Sequence, residues 1–150
     1  EIAGPGGATR RCTIAELYAG AMDDPHGEMT LRAGELITAV ELPAAAADGV
    51  QHWEKIIQRG AWDFSLIACA AARRTDGSVR MALGGVGLGP WRIAHSVEED
   101  VASGGLDEDS IDALAERAMY DTVPLARNGY KVWMAQAALR RAMRAIGAAS

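Results

Sequence analysis

The sequence predicts an α+β fold: an antiparallel sheet of three to four strands packed against three helices. Three observations carry that expectation. Up to Pro90 the apolar residues sit in short β-branched or alternating runs broken by Pro and Asp-Gly turns, and after Pro90 their period changes from two to 3.6. Strands that come first and helices that follow place the helices together on one side of a sheet. At 150 residues, 49% hydrophobic and 23% charged, the chain is the size of one ordinary domain with enough apolar surface for a core.

Each element has a local reason. Thr13-Ile-Ala-Glu16 reads as a capping box, which starts a short helix over residues 14–19. Asp23, Asp24, Pro25 and Gly27 make residues 21–27 a turn. Glu35–Leu42 is rich in β-branched and apolar residues and is stopped by Pro43, so it reads as a strand. Small residues ending in Asp48-Gly49 then reverse the chain into a second strand at 51–58. In that strand Trp53 and Ile57 share one face with Lys55, while His52, Glu54 and Ile56 share the other. A lysine beside two large apolar side chains calls for an explanation.

Phe64–Ala72 is almost wholly apolar, and Asp76-Gly77 makes a hairpin turn into a return strand over 79–86, where Val79, Met81 and Leu83 alternate with Arg80 and Ala82. The small run Ala68–Ala72 lets helices approach that sheet closely. Ser96-Val-Glu-Glu99 reads as a second capping box, opening a helix that ends at Gly104-Gly105. Asp107, Glu108 and Asp109 suit the positive end of the next helix, whose apolar stripe is Ile111, Leu114, Ala115, Ala118 and Met119. The last helix, residues 128–146, stripes Val132, Ala135, Leu139, Ala142, Met143 and Ile146, with Arg140, Arg141 and Arg144 toward its negative end.

A net charge of -5 argues against a general nucleic-acid binder, and no run of about 18 apolar residues exists to span a bilayer. Two cysteines outside any CxxC pair, Cys12 and Cys69, point to a reducing, cytoplasmic setting, and Cys69 in its apolar run reads as core packing. The opening residues carry no Met and no signal pattern, so Glu1 reads as a cut inside a longer protein. The glycine run Gly84–Gly89 lacks dinucleotide-loop spacing, because Pro90 stands where glycine is required; it reads as a tight strand exit. His26, His52 and His95 are not at ligand spacing, the carboxylates at 107–112 read as helix capping, and there is no GxSxG. Lys55, Arg59 and Asp63, spaced by four in a segment between two predicted strands, stand out. They read either as a surface ion pair or as a cationic site for a ligand's partial negative charge.

Taken together, Leu31-Arg-Ala-Gly-Glu-Leu-Ile-Thr-Ala-Val-Glu-Leu-Pro43, then Lys55, Arg59 and Asp63, then Leu83-Gly-Gly-Val86 with Pro90-Trp-Arg92, then Asn128-Gly-Tyr-Lys131, resemble one family in its own order. The chain is similar to the C-terminal domain of the FAD-binding subunit of the molybdenum hydroxylases: xanthine dehydrogenase, carbon monoxide dehydrogenase and bacterial aldehyde oxidoreductases. The resemblance implies residues 1–12 as a linker from an N-terminal FAD-binding domain and 13–148 as the flavoprotein C-terminal domain. It implies a site in which Ile37 packs on the flavin, Lys55 reaches its polar edge, and Arg59 and Asp63 belong to the loop beside the ring. It also implies FAD shared with the preceding domain, and partners in a molybdenum-cofactor large subunit and an iron-sulfur small subunit that hold the other redox centres. Such a chain belongs to a multi-subunit oxidoreductase and is not catalytic alone; periplasmic residence would follow from export with its partners. The rival expectation is a stand-alone α+β protein-interaction domain without flavin.

Overall fold

The computed structural model describes residues 1–22, 26–60 and 62–147; the turn expected at Asp23, Asp24 and Pro25 lies outside them. The chain divides into two units, Glu1–Ala47 and Asp48–Ser150.

In the first unit, β1 (Ile2–Ala3) lies between β2 (Thr9–Arg10) and β3 (Leu36–Ile37), antiparallel to both, with Ile2 opposite Arg10 on one side and Ile37 on the other. Two of these strands fall within residues 1–12, where a linker was expected. The strand expected over 35–42 is only Leu36–Ile37; just beyond it the Thr38 amide donates to Glu1 O at 3.0 Å and Ala39 O accepts from Glu1 N at 2.7 Å. Val40 and Leu42 beyond it are 68% and 80% exposed. Helix α1 (Ile14–Tyr18) starts on the expected capping box: Thr13 Oγ1 accepts from Glu16 N at 3.2 Å, and Glu16 Oε2 accepts from Thr13 N at 2.7 Å.

The unit is tied by Glu35. Its oxygens accept from Arg10 Nε at 2.9 Å, Arg10 Nη2 at 2.8 Å and Arg32 N at 2.9 Å. Arg10, then the Arg32 amide, holds this carboxyl well below its usual range, at about 2.

In the second unit, β4 (Val50–Ile56), β5 (Ile67–Arg73), β6 (Val79–Gly84) and β7 (Trp91–Arg92) form an antiparallel sheet in the order β4-β5-β6-β7. One face carries α2 (His95–Ala102), α3 (Glu108–Ala118) and α4 (Tyr130–Gly147). Ile67, Cys69, Val79, Met81 and Leu83 from the strands meet Val97, Val101, Ile111, Leu139, Met143 and Ile146 from the helices in one buried cluster. Cys69 and Ala71 of β5 and Ala135, Ala138 and Ala142 of α4 are all in the core, so small residues on both sides let α4 lie close to the sheet.

Two glycines are dictated by geometry. Gly49 has φ +93°, and a Cβ there would stand 2.1 Å from Arg73 O; Gly85, at the strand exit, has φ +77° and would place a Cβ 2.8 Å from Leu66 O. The helix ends are closed by side chains. Arg73 donates to Val101 O at 2.7 Å, Ala102 O at 3.3 Å and Ile146 O at 3.1 Å, satisfying the last carbonyls of both α2 and α4.

Asp107 caps α3 with Ser110 N at 2.8 Å. The capping box expected at Ser96–Glu99 is absent: α2 begins two residues earlier, with Ala94 at the cap and no side-chain bond. The acid inside that segment, Glu98, turns into the core instead.

Candidate functional site

The lysine puzzle resolves by inverting the faces of β4. Val50, His52, Glu54 and Ile56 are the less exposed, core-side row, with Glu54 Oε2 accepting from Arg141 Nε of α4 at 2.9 Å; Trp53 and Lys55 face solvent. Trp53 is 65% exposed, so the side chain that looked like core lies on the open face.

Register sets what surrounds Lys55. It pairs with Ala68, which pairs with Gly84, so the floor beside the lysine bears nothing larger than a methyl group. Its Nζ donates to Asp63 O at 2.8 Å, which leaves two ammonium protons for another acceptor.

The loop that supplies that carbonyl is closed by its own ion pair. Asp63 Oδ2 accepts from Arg59 N at 3.2 Å and Arg59 Nε at 3.3 Å, and Oδ1 accepts from Arg59 Nη2 at 3.2 Å. The Arg59 hydrogen bond keeps the Asp63 carboxyl ionised by lowering it below the usual carboxylate range, against a smaller effect of burial. With Asp63 turned inward, its neighbours are forced out: Trp62 sits at φ +53°, a left-handed conformation unusual for a bulky residue, and both Trp62 and Phe64 are almost fully exposed. Lys55, Arg59 and Asp63 therefore form one assembly built on both polar groups of Asp63.

Ile37 belongs to the first unit. It is 38% exposed and lines a cleft of about 460 Å³ together with Ile2, Ile14, Leu17 and Val40.

Sequence reasoning missed Glu98. It is fully buried, and Oε1 accepts from Met81 N at 2.8 Å where β7 no longer supplies a carbonyl; Oε2 accepts from Arg92 Nη2 at 2.7 Å, with Arg80 at 3.5 Å. Burial pushes this carboxyl up, but Arg92, the Met81 amide and Arg80 together carry it below its usual value, so it stays charged. The available signal was two arginines, Arg80 and Arg92, on strands otherwise facing apolar neighbours. Cys69 is fully buried, and burial followed by the Glu54 charge pushes its thiol up to about 11, so it is no nucleophile. Lys131 Nζ donates to Gly85 O at 2.7 Å, tying α4 to the strand exit. Among the described residues no group of three His, Cys, Asp or Glu side chains could hold a metal ion, and no helix is long and apolar enough to cross a membrane.

No family model matches the chain. The chain is similar to the aldehyde oxidoreductase FAD-binding subunit PaoB of Escherichia coli (strain K12), 36% identical in a match of 140 residues that covers 90% of this chain and 40% of that protein. Among solved structures it is similar to quinoline 2-oxidoreductase from Pseudomonas putida 86, with a TM-score of 0.77 and 21% identity over 99% of this chain and 51% of that one. That second likeness bears on the fold, whose α+β architecture the two share. The chain spans well under two thirds of either relative. The match to PaoB runs along nearly the whole of this chain, which is therefore similar to about two fifths of an aldehyde oxidoreductase FAD-binding subunit.

Proposed function

We propose that this chain is the C-terminal part of an FAD-binding subunit in a multi-subunit oxidoreductase of the aldehyde, xanthine or carbon monoxide dehydrogenase type, and that it walls the isoalloxazine side of the flavin. In this reading 13–148 is the flavoprotein C-terminal domain, and the molybdenum cofactor and iron-sulfur clusters sit on a large and a small partner subunit. Residence is cytoplasmic, or periplasmic if the partners are exported together.

FAD, when bound, supplies the electron uptake and release that links the partner's redox centres to an acceptor. The residues present suit such a group. The observation that carries the reading is Lys55: its ammonium is fixed by the Asp63 carbonyl at 2.8 Å, keeps two protons free, and stands beside the bare floor of Ala68 and Gly84. An ammonium so placed stabilises negative charge gathering on a ring nitrogen or carbonyl edge more than it stabilises the neutral edge. Arg59 and Asp63 order the loop and so hold the lysine's anchor. Ile37, an aliphatic side chain, covers a ring face and excludes water without offering a proton.

The test is a redox titration of the full-length subunit and its Lys55→Met variant. Methionine keeps the apolar stem, so packing changes little. Loss of the charge-assisted contact should lower the flavin potential by roughly 20–60 mV, which is about 1–3 kcal/mol for a two-electron couple. An unchanged potential together with a large drop in thermal stability would make Lys55 a structural ion-pair member and end the assignment.

A further inference from the structure

We propose that Lys131 is a positioning residue for the flavin site: by holding the Gly85 carbonyl it fixes the strand exit against which the anchor of Lys55 is seated. The inference rests on the subunit reading above and adds to it a residue that acts on the flavin through Lys55.

A series of contacts within the second unit supports it. Lys131, in the first turn of α4, donates from Nζ to Gly85 O at 2.7 Å. Gly85 follows the last residue of β6 with φ +77°, and its backbone lies so close to the neighbouring strand that a Cβ would stand 2.8 Å from Leu66 O and 3.1 Å from Ser65 O. Leu66 N donates to Ile56 O at 2.8 Å, and two residues before Ser65 the Asp63 carbonyl holds Lys55 Nζ at 2.8 Å. A Cβ on Gly84 would lie 3.4 Å from the Ala68 methyl group, so the strand exit is also the floor beside Lys55. Three stretches that stand apart in the sequence, Lys55 to Asp63, Leu83 to Val86 and Asn128 to Lys131, thus meet in one assembly.

The backbone at that exit is soft. Gly85, Gly87 and Gly89 lack the side chains that restrict rotation, and beside Lys131 a cavity of about 100 Å³ lined by Val86, Trp91, Asn128 and Val132 leaves the exit loosely packed on that side. The hydrogen bond from a charged donor therefore sets the orientation of the Gly85 peptide. Without it that peptide turns, Ser65 and Leu66 lose their support, and the Asp63 carbonyl no longer keeps the Lys55 ammonium in one place. A residue that only tied α4 to the sheet would change stability and leave the flavin unaltered, which separates the two roles.

The test is a double-mutant cycle in the full-length subunit, with Lys55→Met, Lys131→Met and both together. It is read by flavin redox titration and thermal denaturation, and by amide exchange at Leu66 after FAD removal. Lys131→Met alone should shift the reduction equilibrium about fivefold toward oxidised flavin, about 20 mV for a two-electron couple, and should add nothing in the Lys55→Met background. Its Leu66 amide should exchange about tenfold faster without FAD. Lys131→Arg, which keeps a charged donor, should match the unaltered subunit in both readings, and Lys131→Gln takes the place of the methionine variant if that one does not fold. A lower thermal midpoint with an unchanged potential would overturn the inference, as would a shift that simply adds to that of Lys55→Met. If Lys55→Met itself leaves the potential unchanged, the flavin reading fails, and the Leu66 amide then decides: unchanged exchange in Lys131→Met overturns the coupling of Lys131 to the Lys55 loop, and faster exchange upholds it.

Discussion

In Asp48–Ser150, one face of a four-stranded sheet meets three helices over side chains such as Leu139, Met143 and Ile146 that are wholly removed from water; in Glu1–Ala47, three strands of two residues each bury Ile2 and Leu17 and leave Val40 and Leu42 largely in solvent. Both units also use the same polar device, a carboxylate gripped by arginine. Glu98 is gripped inside an apolar core and completes a strand ladder, whereas Glu35 is gripped at the edge of a small sheet and closes a loop. The comparison teaches that an Arg–Glu pair takes its weight from its surroundings. Removing one partner inside a core strands a charge among apolar atoms, while Arg10, with 29% of its side chain exposed, can turn to water when Glu35 is lost.

The largest effect should come from Gly49→Ala in the second unit. At φ +93°, with a Cβ 2.1 Å from Arg73 O and 2.9 Å from Arg74 Cα, the obstruction is backbone on a strand that also anchors both helix ends through Arg73. Neither chain can move without breaking ladder bonds. We expect a loss of about 4 kcal/mol in urea unfolding followed by far-ultraviolet circular dichroism. A midpoint shift of a few tenths of a molar would mean that the start of β4 is loose, and the second unit less rigid than its core implies.

Glu98→Gln should come next. The amide oxygen can still accept from Met81 N, but Arg92 and Arg80 lose their counter-charge beside a site with no exposed surface. We expect about 3 kcal/mol by the same measurement, with the loss shared between β6, β7 and α2. A neutral result would show that the two arginines swing out to solvent freely, and would erase the contrast with Glu35.

What could be read in the sequence follows the range of the interaction responsible. The capping box at Thr13, the cap at Asp107, the Asp76-Gly77 hairpin and the α4 stripe are all set by neighbours a few residues apart, and each stands where its pattern placed it. The first unit's sheet was not legible, because Ile2 meets Ile37 across 35 positions through strands too short to show a period. Glu98 was not legible either. An acid in the first turn of a helix reads as solvated, and only its distant arginines say otherwise. At the candidate site the spacing of Lys55, Arg59 and Asp63 was legible, but the face on which Lys55 stands was not. Trp53 reads as a core residue until Arg141 is seen to satisfy Glu54 on the other face.

The smallest and most localised effect should be the response of the first unit to acid. Glu35 has its pKa depressed to about 2 from an ordinary 4.5, chiefly by the Arg10 hydrogen bond and then by the Arg32 amide. A depressed carboxyl binds its proton more readily in the unfolded chain, so the stabilisation it provides is complete above about pH 5 and is lost as pH falls from there toward 2. Protection factors from amide exchange at Ile2, Leu36 and Ile37 should therefore decline between pH 6 and pH 3, earlier than those of Ile67, Cys69 and Met81, whose unit has a buried apolar core as well as a carboxylate. Glu35→Gln should lower the first set at pH 6 and flatten its acid dependence. It should leave the second set where it was. If both sets instead decline together in the unaltered chain, the two units open as one, and the difference in their cores does not govern how they come apart.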